Sequence, residues 1–205
     1  MTKNNDTIIN EQLNFNIISR VAVGDMLRRR ARSDGQTEAV VEYVSGQRIA
    51  TSYQALNSNA NKIAHGLRAN GLCQGDRVAL VASNSCDFLA VMFACFKTGI
   101  VVVPINYLQN PDDVRFNFEH GDVRAVIYDA ELEDLCCQCA QDLPRIGFKL
   151  SLGDESKYCD ATLGDILATQ SDEEIFDIII TQLHLTLRHI VIFANILNRH
   201  PFTQS

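Results

Sequence analysis

Three cysteines crowd into four positions, Cys136-Cys137-Gln138-Cys139, and two histidines, His184 and His189, stand five residues apart. Thiolates and imidazoles hold zinc, so metal binding is the first chemistry to weigh. A structural zinc site needs a CxxC pair matched by a second pair or by histidines, and nothing in the sequence supplies that match cleanly. On a helix the cysteines act as small apolar residues instead. A five-residue interval puts His184 and His189 on opposite sides of a strand, which argues against a shared ion. Arg20, Arg28, Arg29, Arg30 and Arg32 form a basic cluster, which reads as a solvated helix face rather than a phosphate patch. Gly71, Gly75 and Gly99 do not build a G-x-G-x-x-G loop.

The elements that must position any such chemistry are bounded by composition. The 205 residues are 46% apolar, enough for one domain with a sizeable core. Eighteen basic against 25 acidic residues give a net charge of −7, which argues against nucleic acid or an anionic membrane as partner. Seven cysteines, an odd number, without a secretory start imply reduced thiols and a cytoplasmic protein. The apolar stretch from Phe176 to Leu197 is broken by Asp177, His184, Arg188 and His189, so no membrane span is expected. Residues 1–16 are polar and read as a disordered leader.

The periodicity switches repeatedly between helix and strand. A helix is predicted over Val21–Arg32, and a hairpin over Glu38–Val44 and Arg48–Thr51 around Ser45-Gly46. Thr51 or Ser52 caps the next helix, with Thr51 and Gln54 at capping-box spacing. Leu56, Ala60, Ile63, Ala64 and Leu67 share one face of it. Val78–Val81 and Ile100–Val103 are continuous apolar strands, as in a sheet covered on both faces. Phe88–Phe96 between them is apolar almost all round and reads as a buried helix. Asn110 caps a helix with Pro111 at its first position. Further strands are expected at Arg124–Tyr128, Phe148–Leu152, Ile175–Thr181 and Arg188–Phe193, and helices at Glu131–Gln141 and Thr162–Ala168. The fold class is α/β: a partial doubly wound, mainly parallel sheet with helices on both faces, plus an N-terminal β-hairpin.

An ordered set of short segments resembles the adenylate-forming superfamily, the AMP-dependent synthetases and ligases that include the acyl-CoA synthetases. Ser52-Tyr53-Gln54-Ala55-Leu56 is similar to its first core motif, with Ala55 where Glu is usual. Asn61, Ala64, Leu67 and Gly71, then Gly75-Asp76-Arg77-Val78-Ala79, continue the pattern. Asn84-Ser85 with Asp87, Phe96-Lys97-Thr98-Gly99 through Pro104-Ile105-Asn106, and Glu119-His120 with Ala125-Val126-Ile127 complete it. Together they cover about Val21 to Thr181.

The resemblance implies an ATP-dependent carboxylate–CoA ligase. Such enzymes use ATP, Mg²⁺ and CoA and act on a fatty or other small carboxylic acid. It also implies that the quoted motifs are scaffold. Chemistry in these enzymes begins at a glycine-rich loop resembling T-S-G-T-T-x-x-P-K-G, whose glycines let backbone N–H groups approach phosphate. Here Phe176–Thr181 stands at the strand before that loop, yet residues 182–200 contain no glycine, lysine or proline. Thr181 and Thr186 are the candidate cofactor-binding residues, as degenerate remnants of phosphate contacts. No catalytic or metal-binding residue is expected, and none of the cofactors is expected to bind this fragment. The expected layout is a subdomain over residues 17–181 and a divergent or frameshifted tail over residues 182–205. The adenine-contacting strand, the acidic residue for ribose and the C-terminal domain with its catalytic lysine are absent from the sequence. An inactive N-terminal fragment is therefore expected, with an interaction module or truncated product as the alternative. Exposed apolar surface is expected to promote self-association.

Overall fold

The computed structural model describes residues 23–153 and 156–175. Helix α1, Val23–Asp34, leads into a two-stranded antiparallel hairpin of β1, Glu38–Val44, and β2, Gln47–Ser52. Ser45 and Gly46 both take positive φ at its tip, as a tight hairpin turn requires. Then come α2, Tyr53–Ala69; β3, Arg77–Val81; α3, Cys86–Thr98; and β4, Val101–Pro104. The chain continues through α4, Pro111–His120; β5, Ala125–Tyr128; and α5, Glu133–Ala140. The last elements among the described residues are β6, Phe148–Ser151; β7, Ala161–Thr162; and α6, Leu163–Thr169.

Strands β3 to β7 form one parallel sheet in the order β4-β3-β5-β6-β7. The apolar runs expected from the sequence are buried on both faces. Alternate residues sort them: Val78, Leu80, Val102, Ala125, Ile127 and Leu150 face one cluster with α1, α2, α3 and α6. Ala79, Val81, Val101, Val103, Val126 and Tyr128 face the other, with α4 and α5. Strand periodicity of two thus divides one sheet between two cores. Cys136 and Cys139 are buried in the second of these.

The caps explain where elements begin. Ser85 and Asn110 accept from the Phe88 and Asp113 amides, and Thr162 with Asp165 makes a capping box. The Thr51–Gln54 box does not form. Thr51 belongs to β2, and Ser52 is the cap of α2, accepting from the Ala55 amide at 3.2 Å. Ala55 sits where a reciprocal carboxylate would be needed, so this cap stays one-sided. Helix α3 is also less enclosed than expected: Leu89 is 37% exposed, and Phe88, Met92, Phe93 and Phe96 are half-buried. Strand β7 was absent from the sequence-based expectation, because two residues carry no periodicity.

Gly99 ends α3 in the left-handed region at φ 69°, and a Cβ there would lie 2.8 Å from the Gln74 Cγ. Gly99→Ala is expected to cost about 1–2 kcal/mol, read from the urea midpoint. Gly147→Ala, with open space around it, should leave the midpoint unchanged.

Pro104 closes the outer edge of the sheet. Val101 and Ile105 donate to the Asp76 and Leu80 carbonyls of the β3 side at 2.7 and 2.9 Å. By alternation the nitrogens of Val102 and Pro104 face away from β3, and Pro104 has no donor to offer a further strand.

Candidate functional site

Residues Thr181, Thr186, His184 and His189 lie outside the described residues, as do the strands expected over 176–181 and 188–193. The described residues comprise the sheet, its carboxyl edge and the chain as far as Ile175.

In an open doubly wound sheet, ligands bind where neighbouring strands send their connections to opposite faces. Here that point lies between β3 and β5, since α3 packs on one face and α5 on the other. The loop after β3, Ala82-Ser83-Asn84-Ser85, contains no glycine. Asp129, just past β5, accepts from both the Ser83 amide and the Ser83 hydroxyl at 2.8 Å. Glu42 reaches from the hairpin to accept the Cys86 amide at the start of α3 at 3.0 Å. Two carboxylates thus take the backbone donors that a phosphate would need, and their charge repels one. Among the described residues this edge does not fit ATP. No group of three His, Cys, Asp or Glu side chains among them is arranged to hold a metal ion such as Mg²⁺.

At the opposite edge, the Gly75-Asp76-Arg77 motif is structural. Gly75 turns at φ 86°, and the Arg77 guanidinium donates to the Gly75, Gly121 and Asp122 carbonyls and to the Asp122 carboxylate. This holds the entry to β3 against the entry to β5.

The densest polar arrangement with a bearing on the expected phosphate loop surrounds Ser171–Ile175. The Asn57 amide donates to the Glu174 carboxylate at 2.6 Å, and the Ser58 hydroxyl to the Asp172 carboxylate at 2.9 Å. The Asn61 amide donates to the Asp172 carbonyl at 2.8 Å. His65 Nε2 lies 3.0 Å from the Glu173 carbonyl, and Lys62 Nζ donates to the Leu167 carbonyl at 3.0 Å. From α3, Lys97 Nζ pairs with Glu174 at 2.9 Å, with side chains 4% and 16% exposed. Burial lowers the Lys97 pKa, a pull that the Glu174 contact only partly offsets. For Glu174 burial raises the pKa, but its bonds to Lys97 and Asn57 outweigh this and hold the carboxyl below its usual range. Sequence reasoning took Lys97 as motif scaffold and passed over Glu174. The available signal was a lysine inside a helix apolar on every side, which needs a buried partner.

Three comparisons bear on this arrangement. The family model described as AMP-binding enzyme matches residues 27–174. A long-chain-fatty-acid–CoA ligase of Mycobacterium tuberculosis is 37% identical over 108 residues, which cover 53% of this chain and 21% of that one. A fatty acid–acyl-carrier-protein ligase of Streptomyces coeruleorubidus is 34% identical over 80 residues, covering 39% and 15%. The chain thus spans about a fifth or less of the length of these relatives. Among solved structures, the inhibitor-bound N-terminal domain of FACL13 from Mycobacterium tuberculosis superposes with a TM-score of 0.62 at 27% identity, covering 75% of this chain and 37% of that one. A coronafacic acid ligase from Pectobacterium brasiliense shares the fold at TM-score 0.68 and 21% identity, covering 77% and 31%.

Proposed function

This chain belongs to the AMP-binding enzyme family, and from that premise we propose that it is the N-terminal portion of an ATP-dependent carboxylate–CoA ligase, inactive in adenylation by itself. The observation that carries the reading is the family match over residues 27–174, joined to a following stretch, residues 182–200, without glycine, lysine or proline. The relatives named above are ligases of fatty acids, so a fatty or other organic acid is the substrate class of the complete enzyme, with ATP, Mg²⁺ and CoA as its further reactants. Thr181 and Thr186 stand in this reading as hydroxyls remaining at the phosphate-loop position. Leucines at 183, 185 and 187 cannot replace glycines, because their side chains keep phosphate away from the backbone. The described residues hold the sheet and deliver the chain toward that position, and they take no part in the chemistry.

The test is acid-dependent ATP–pyrophosphate exchange by the purified chain, with fatty acids of several lengths. The expected result is exchange no faster than without protein. Exchange above that background overturns the inactive reading.

Exposed apolar side chains favour a second reading, a non-catalytic interaction module. Tyr43 on the hairpin is 71% exposed and Leu108 is 76% exposed. Self-association or a specific protein partner would follow from such surface. The DNA around codons 182–205 separates the readings. A second frame encoding a glycine-rich loop marks a frameshifted ligase, and its absence favours the module. Among the described residues no helix is long and apolar enough to cross a membrane.

A further inference from the structure

Residues 171–175 belong to no helix and no strand. A segment of this kind ordinarily runs loosely over a surface. This one is held by side chains reaching out from two helices. Asn57, Ser58, Asn61 and His65 recur at helical spacing along one side of α2, and each touches residues 172–174. The Asn61 side chain is only 1% exposed, so its bond to the Asp172 carbonyl is made inside the protein. Lys97 sits in the last turn of α3 and meets Glu174 from the other side. Helix α1 closes over it: a Cβ on Gly24 would come within 3.1 Å of the Lys97 backbone and side chain. Ile175 then packs against the apolar cluster shared by α1, α2, α3 and α6. The segment is fixed in place, direction and depth just before the stretch whose sequence resembles the strand into a phosphate loop.

We propose that Lys97, Asn57 and Asn61 are positioning residues, which bind Glu174 and Asp172 so that the chain reaches Ile175 at one defined point, just before residues 176–189. Function in the complete ligase enters only through the reading of those residues as the phosphate-loop position. The anchoring itself does not depend on it. An ion pair suits this task better than apolar packing would. Breaking it leaves a charge in a nearly closed space, so partly detached arrangements are disfavoured more strongly than by the loss of one contact. The amides of Asn57 and Asn61 add direction, since each N–H donates well only over a narrow range of angles.

The distinguishing property is local. If these groups act on residues 171–175, removing them should free that segment while the sheet stays shut. Proteolysis reads this, because cleavage follows the population of the open form when opening is fast. The 205-residue chain, Lys97→Met and Glu174→Gln are digested with a glutamate-specific protease, and cleavage after Glu173 is compared with cleavage after Glu133. Glu133 is buried at 9% exposure, so its cleavage reports opening of the domain. In both variants cleavage after Glu173 is expected to rise at least tenfold, on the order of the loss of a charged hydrogen bond, with cleavage after Glu133 within about twofold of the parent. Equal acceleration at both sites, or none at Glu173, overturns the proposal. Should Lys97→Met fail to fold, Glu174→Gln decides it, as it keeps the size of the side chain and the bond from Asn57. Nucleotide plays no part in the readout, so the anchor and the ligase reading fail separately.

Discussion

Leu80→Ala is expected to destabilise the domain by about 3–5 kcal/mol. Leu80 lies in β3, which carries both β4 and β5 as neighbours. It pairs with Pro104 on one side and Ile127 on the other, and it is fully buried. Its side chain faces the larger of the two apolar clusters, between sheet and helices, where close-packed neighbours collapse only in part into the space it leaves. A loss of that size is a large fraction of the ~5–15 kcal/mol that holds an ordinary domain together. Urea denaturation followed by circular dichroism measures it. The companion variant Leu108→Ala, at a surface position, should change stability by less than about 0.5 kcal/mol. Comparable losses at the two positions would contradict the assignment of Leu80 to the core.

Glu133→Ala has the second large effect, for a polar reason. The carboxylate of Glu133 accepts from the Ser156 hydroxyl, from the Lys157 amide at 3.0 Å and from the Tyr158 amide at 3.1 Å. The Tyr128 hydroxyl adds a fourth donor at 3.3 Å. One side chain from the start of α5 thereby ties down the connection between β6 and β7, which contains no helix among the described residues. Removing it leaves these part-buried donors to water, which reaches Lys157 and Tyr158 at the surface, so the loss expected is about 1.5–3 kcal/mol, that of hydrogen bonds to a charged group.

The pH dependence has a definite sign. Burial raises the Glu133 pKa, but the Ser156 hydroxyl and the Lys157 and Tyr158 amides outweigh it and hold the carboxyl below its usual range. Its stabilisation is then complete above the ordinary glutamate pKa and is lost as pH falls through the lower folded value. The gap in stability between the parent and Glu133→Gln should therefore be largest near neutral pH and shrink as the pH falls below the ordinary glutamate range. A gap that widens on acidification would refute the assignment. Burial pushes the Tyr128 phenol up, so it remains a donor throughout this range.

The parts of the fold legible in the sequence are those whose cause is local. Val78–Val81 shows its double burial as an unbroken apolar run, and Asn110-Pro111 shows a helix start by the chemistry of the cap. Gly99 and Pro104 mark the end of α3 and of β4, because few residues can take those backbone states. The failures share a different origin. Thr51 and Ser52 offer equal capping chemistry and both pair with β1, so only the path of the backbone into α2 decides between them. Helix α3 carries apolar residues on every side, yet how many are enclosed depends on neighbours that the helix itself does not specify. Lys97 and Glu174 stand 77 positions apart, and neither carries a local sign of the other. The same holds for the carboxyl edge, where Glu42 and Asp129 come from separate elements to occupy the donors at Ser83 and Cys86.

The bonds from α2 to the segment after α6 join residues 108 to 117 positions apart. A ribosome adding ~5–20 residues per second takes on the order of 10 s to make that length of chain. Throughout this interval α2 has left the exit tunnel with its row of asparagines, serine and histidine unanswered, while β3 to β6 are still arriving. Early closure of α2 onto the wrong strand would leave those polar groups without partners, so the row discourages premature burial until residues 171–174 emerge. Residues 171–174 thus set a condition on the order of folding: the polar row of α2 is satisfied only once α6 and the segment that follows it have been made.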